Sequence, residues 1–300
     1  MTRTKALTAW RRSGIFITLA KRNLRTLLEL SPVFFTLLCL GVGLFSGFLG
    51  GLLGIGGGIV IVPALIILFD WTGILPLAHS TPAAVATSLA CILFTSLSAA
   101  YAQVRARRVE WLIVRRWAAP VTLGAAAAGY LAPLLPVPVF RGFIGLFLGL
   151  VSVVMLTRWT PHPHRSFPAP AAAGGIGFGA GLVSGIAGIG GGNVMVPTMI
   201  YFNTAVHRAT ATSSSLGAPL AAAGALGYIL FAPPIAAAPQ YMLGYVHLPS
   251  FAAIVVGAIA AAPLGVWTAH RINASSLRRL FGVLLILAAL RMMQSAWAAA

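Results

Sequence analysis

The chain alternates long apolar runs with short polar connections. Apolar stretches cover roughly 33–53, 56–69, 83–101, 112–135, 139–157, 172–190, 193–202, 209–231, 247–269 and 280–297. Most approach or exceed the roughly 20 residues that an α-helix needs to cross about 30 Å of hydrocarbon. The runs at 56–69 and 193–202 are too short for an untilted span, and each begins in a glycine cluster. The pattern predicts an all-α polytopic membrane protein with eight to ten crossings. Because the runs recur along the whole chain, a cleaved signal peptide does not explain them.

A proline-rich, basic stretch at 158–170, RWTPHPHRSFPAP, divides the apolar chain into comparable halves. Four parts follow: a basic N-terminal segment 1–30, a first transmembrane repeat 31–157, the linker 158–170 and a second repeat 171–300. The halves share a motif, GIGGGIVIVP at 54–63 and GIGGGNVMVP at 188–197. Placing Pro63 on Pro197 also aligns Gly43 with Gly177, Gly47 with Gly181, Gly51 with Gly185 and Gly54 with Gly188. Further on, Ala86-Thr87-Ser88 matches Ala211-Thr212-Ser213, and Arg141 with Phe143 matches Arg279 with Phe281. Each repeat therefore holds about five apolar segments.

Composition agrees with the membrane reading. Hydrophobic residues make up 59% and charged residues 8% of the chain, against roughly 25% charged in soluble domains. The net charge of +17 comes from 20 Lys and Arg against three acids, Glu29, Asp70 and Glu110. In a soluble protein that balance points to nucleic acid, but here the bases sit between apolar runs, where positive-inside retention explains them more simply. Their distribution orients the repeats. The connection 102–116 carries five arginines and its counterpart 232–246 none, whereas 133–140 carries none and 270–279 carries Arg271, Arg278 and Arg279. The bias flips between the halves, as an inverted-topology repeat requires. Residues 1–30 fit either a helix lying on an anionic membrane face or a mobile tail, and five crossings per half would put them opposite the loop arginines.

The candidate chemistry is sparse. Four glycines in five residues break a helix, and peptide groups freed at membrane depth must be buried in protein or line a watery cavity. Amides at the N-terminus of the following half-helix attract anions. Gly56, Gly57 and Gly58, with Gly190, Gly191 and Gly192, are thus candidate substrate-binding residues, with Pro63 and Pro197 as structural partners in the motif. Gly43, Gly47 and Gly51, spaced by four, fit close helix packing better. Asn193 stands where the first repeat has Ile59, either to cap the half-helix or to contact substrate. Thr87, Ser88, Thr212, Ser213 and Ser214 are candidates to line the path, although such hydroxyls also bond back to their own helix. His79, His207 and Arg208 are candidates for a rim or proton role, and Arg141 for a positive rim. Cys39 and Cys91 lie in apolar runs and support neither a disulfide framework nor a metal cluster. GIGGG lacks the Gly-Lys-Ser/Thr of a phosphate loop, and three acids are too few for metal hydrolysis or carboxylate catalysis.

The doubled GIGGGxxxVP, each followed by Ala-Thr-Ser, resembles the TauE/SafE family of sulfite exporters over about 33–297. The resemblance implies a bacterial or archaeal cytoplasmic-membrane permease, not an enzyme, that moves small sulfur-containing anions such as sulfite, thiosulfate or organosulfonates. It implies no cofactor and no nucleic acid; the partners are the substrate anion and the lipid bilayer, with proton coupling and oligomeric state left open. A non-transporting assembly or sensor protein, whose glycines serve only packing, and a passive anion channel remain the alternatives.

Overall fold

A computed structural model describes residues 32–53, 57–157, 168–235, 239–269 and 274–299. Among them are ten α-helices: α1 (Pro32–Leu53), α2 (Gly58–Thr72), α3 (Leu77–Arg105), α4 (Trp111–Leu131), α5 (Val137–Thr157), α6 (Pro170–Ala187), α7 (Gly192–Tyr201), α8 (Val206–Leu230), α9 (Leu248–Ala269) and α10 (Ala274–Trp297). Seven of them, α1, α3, α5, α6, α8, α9 and α10, are long and apolar enough to cross a membrane. The protein is an all-α polytopic membrane protein. The helix α4 has the length of a span, 21 residues, with Arg115 and Arg116 near its start, where long stems reach back to the interface.

The two short apolar runs become the two short helices, of 15 and 10 residues. At 1.5 Å per residue they reach about 22 and 15 Å, well short of a bilayer. Each follows a glycine break, and Pro63 and Pro197 lie inside them. From Cys39 onward the chain forms one unit.

Glycines set how closely the helices of this unit pack. A Cβ at Gly47 would lie 2.3 Å from the Ala258 carbonyl oxygen, and one at Gly43 2.4 Å from that of Ile254. On the other side, a Cβ at Gly181 would lie 2.1 Å from the Val121 oxygen, and Gly177 faces Pro120 and Trp117. The helix α1 thus lies parallel on α9, and α6 parallel on α4, each glycine helix against the fourth helix of the other half. Only hydrogen in place of a side chain permits backbone contact of this kind.

The third helices and the fifth helices meet each other directly. Gly217 faces Ser96 and Gly224 faces Leu89, so α3 and α8 run antiparallel. Gly145 faces Met293, and the Ser152 hydroxyl donates to the Gly282 carbonyl at 2.6 Å, so α5 and α10 run antiparallel as well.

One element departs from the helical expectation. Met242–Leu243 and Val246–His247 pair as antiparallel strands β1 and β2. The two-residue turn between them is opened by Gly244 at φ 55°, a backbone conformation that favours glycine.

Candidate functional site

The two glycine breaks meet halfway along the α3–α8 pair. A Cβ at Gly58 would strike Ile92 of α3 at 2.3 Å and would lie 3.0 Å from the Gly188 carbonyl oxygen. Gly188, at φ 69°, presses on Val62 of α2 and Val85 of α3, while Gly190 faces Ile92 and Ser96. The Ser88 hydroxyl donates to the freed Gly188 carbonyl at 2.9 Å. The helical C-terminus of α6, whose last carbonyls have no intrahelical donor, is therefore held by a serine from the other half.

The half-helix α7 starts differently. Its N-cap is Gly191 at φ 77°, and no side chain caps it. The amides of Gly192 and Asn193, at the first two helical positions, have no acceptor within the helix. Asn193 therefore does not serve as the cap. Its Nδ2 is buried without a hydrogen-bond partner, as are the Ser184 Oγ on the last turn of α6 and the Ser213 Oγ on α8. All three atoms belong to the second half. The matching positions in the first half are otherwise equipped: Ser88, which corresponds to Ser213, is bonded to Gly188, and Ile59 corresponds to Asn193.

The threonines of the two Ala-Thr-Ser segments act as clasps between the halves. The backbone N–H of His247 donates to Thr87 Oγ1 at 3.0 Å, and that of Glu110 donates to Thr212 Oγ1 at 3.0 Å. Glu110 immediately precedes α4 and His247 immediately precedes α9, so each threonine secures the start of the fourth helix of the opposite half. Ser214, named as a path residue, bonds back to Thr210 of its own helix.

The two ends of the α3–α8 pair differ in charge. At one end lie the α3–α4 connection with Arg105, Arg107 and Arg108, and the exposed Arg208, ion-paired with Glu110. At the other end Arg141 is buried, 2% exposed, against Asp70 at 26%. Arg141 Nη1 and Nη2 contact the two Asp70 oxygens at 2.7 and 2.8 Å. Its remaining N–H groups donate to Thr81 at 3.0 Å, Ser80 at 2.9 Å and Ser295 at 2.8 Å, so all five are used. Arg141 thus offers no open charge: almost fully buried, its guanidinium is neutralised by a carboxylate 71 positions away in sequence. Arg208 likewise offers no free charge.

Of the histidines singled out in sequence, His79 shares a 3.1 Å hydrogen bond with the Tyr245 hydroxyl, and His207 is exposed at the start of α8. The histidine that sequence reasoning passed over is His247, buried at 5% exposure in β2, with its Nδ1 2.7 Å from the Ser250 hydroxyl. Burial lowers its pKa to about 4. No cluster of three metal-ligating residues occurs among the described residues. Gly56, residues 1–30 and the linker histidines His162 and His164 lie outside the described residues.

The chain matches the family model described as "Sulfite exporter TauE/SafE" over residues 39–292. It is 30% identical over 262 residues to a "Probable membrane transporter protein" of Haemophilus influenzae, covering 86% of this chain and 98% of that one. It is 28% identical to the "Probable membrane transporter protein YunE" of Bacillus subtilis, over 82% of this chain and 93% of that one. A third relative, the "Probable membrane transporter protein MJ0441" of Methanocaldococcus jannaschii, is 27% identical over 79% of this chain and 87% of that one. No solved structure matches the chain. Doubled glycine breaks, threonine clasps and seven membrane-length helices thus meet a family match over most of the sequence: the chain belongs to the TauE/SafE family of membrane transporters.

Proposed function

We propose that the protein carries small sulfur-containing anions, such as sulfite, thiosulfate or an organosulfonate, across the cytoplasmic membrane by alternating access between two inverted repeats. The observation that carries this reading is the set of unpartnered buried atoms in the second half, Ser184 Oγ, Asn193 Nδ2 and Ser213 Oγ. A buried polar group without a partner costs about 1–3 kcal/mol. Hydroxyl and amide donors beside the free amides of a half-helix recover that cost when an anionic oxygen binds. Neutral donors also release an anion readily, whereas an uncompensated charge in the bilayer core is expensive. Ser88, Thr87 and Thr212 support the site by holding its walls.

The antiparallel packing of α3 on α8 and of α5 on α10 supports the inverted arrangement. Retention of basic loops inside the cell orients the Arg105–Arg108 end toward the cytoplasm. The protein has no catalytic part in this reading and requires no cofactor. The test is counterflow of a panel of labelled sulfur oxyanions and organosulfonates in proteoliposomes. Parent protein exchanges at least one of them, and Asn193→Leu, still monodisperse and folded, exchanges none. Equal exchange by parent and Asn193→Leu would leave the glycine break a packing device and favour a different path.

A further inference from the structure

The Asp70–Arg141 network asks for more than a structural role. An ion pair removed from water gains little net stability over apolar residues of the same volume, and the second half builds the same helices without one. There, Thr204 stands at the position of Asp70, and the counterpart of Arg141, Arg279, is exposed. The pair also joins the halves, because Arg141 on α5 donates to Ser295 on α10 while Asp70 ends α2.

Exposure separates the two partners. Asp70 is a quarter open to solvent and Arg141 is almost completely closed. A proton arriving at this end reaches the carboxylate first. Protonated, Asp70 no longer balances the guanidinium, which is left with the hydroxyls of Ser80, Thr81 and Ser295 and an open pair of N–H groups. That planar pair matches two oxygens of a carboxylate, sulfonate or sulfite equally well. Among the described residues, His79, held by Tyr245, precedes the Ser80 that donates to Asp70, His247 of β2 lies against the neighbouring Phe69 ring at 5.6 Å, and the exposed Arg291 stands one turn before Ser295 on α10.

We propose that Arg141 is a second anion-binding site at the non-cytoplasmic end, occupied by Asp70 in this structure and yielded to the substrate when Asp70 takes up a proton. The inference rests on the transport reading above. One proton on Asp70 and one monoanion on Arg141 leave the charge of the site unchanged, so the two travel together. Proton uptake and anion binding are then the same event seen from two sides.

Labelled methanesulfonate is the probe, because it remains a monoanion at every working pH and its own titration cannot mimic coupling. With the membrane potential clamped at zero, the parent chain in proteoliposomes accumulates it about tenfold per unit of imposed pH gradient. Asp70→Asn, which has no carboxylate to take up the proton, accumulates none. Parent counterflow that ignores the gradient, or Asp70→Asn that still accumulates, overturns the proposal. Should Asp70→Asn fail to fold or to exchange methanesulfonate, calorimetry of the parent in two buffers of different ionisation enthalpy decides: one proton taken up per anion bound upholds it, and none overturns it. If the parent exchanges no member of the panel, the transport reading falls and this inference falls with it.

Discussion

Two glycines packed directly on the backbone of a neighbouring helix make a sharp prediction. In Gly47→Ala the new methyl would lie 2.3 Å from the Ala258 oxygen and 2.4 Å from its Cα, both backbone atoms. In Gly181→Ala it would lie 2.1 Å from the Val121 oxygen. Ordinary contact begins at 3.4 Å, so each pair of helices must part by about 1 Å, and no flexible side chain can absorb the shift. Overpacking of this size costs about 1–3 kcal/mol. Gly142→Ala is the control: nothing lies within 4 Å of its added Cβ, and relief of glycine's backbone entropy leaves stability unchanged or raised by about 0.5 kcal/mol. Thermal unfolding of the purified variants, followed by tryptophan fluorescence, reads the difference. Both clashing variants are expected to unfold several degrees below the parent and Gly142→Ala at or above it. If Gly47→Ala and Gly181→Ala unfolded with the parent, the helices would not be in backbone contact and the packing described above would be wrong.

Asn193→Leu should raise the unfolding temperature slightly, since it removes an unpaired buried amide worth about 1 kcal/mol, while abolishing the stabilisation that a bound anion gives the parent. Ser88→Ala should cost about 1 kcal/mol in thermal unfolding, because the Gly188 carbonyl loses its donor. The exposed Arg208–Glu110 pair should matter little, with Arg208→Gln within about 0.5 kcal/mol of the parent at moderate salt. His247 is neutral when folded, with its pKa lowered by burial from 6.5 to about 4. The unfolded chain therefore binds the extra proton, and stability falls as pH drops from 6.5 toward 4, by up to about 1.4 kcal/mol per pH unit. Comparing unfolding temperatures of parent and His247→Gln across that range isolates the effect, which the variant lacks.

The fold was largely legible because membrane insertion writes itself locally. Ten apolar runs correspond to ten helices, and the two short runs after glycine clusters correspond to α2 and α7. The four-residue spacing of Gly43 and Gly47 signalled close packing, which the backbone contacts with Ile254 and Ala258 bear out. Long-range polar partners were not legible. Arg141 reads in sequence like any basic residue at a helix start, and nothing near it reveals Asp70 or Ser295. The hairpin at Met242–His247 was equally hidden. Its strands are two residues each, and its anchor, Thr87, lies 160 positions earlier. Asn193 could be singled out only because the other repeat supplied Ile59 for contrast. That it caps nothing required the geometry of Gly191.

The threonine clasps bear on how the protein is made. Thr87 enters the membrane early and waits for the amide of His247, 160 residues further along the chain. At roughly 5–20 residues per second, a ribosome takes on the order of ten seconds or more to supply it. Thr212 waits for nothing, since Glu110 is already in place when it emerges. Biogenesis is therefore lopsided: the first half must linger incomplete in the bilayer, a client for whatever holds unfinished helices, and the second half closes the molecule as it arrives.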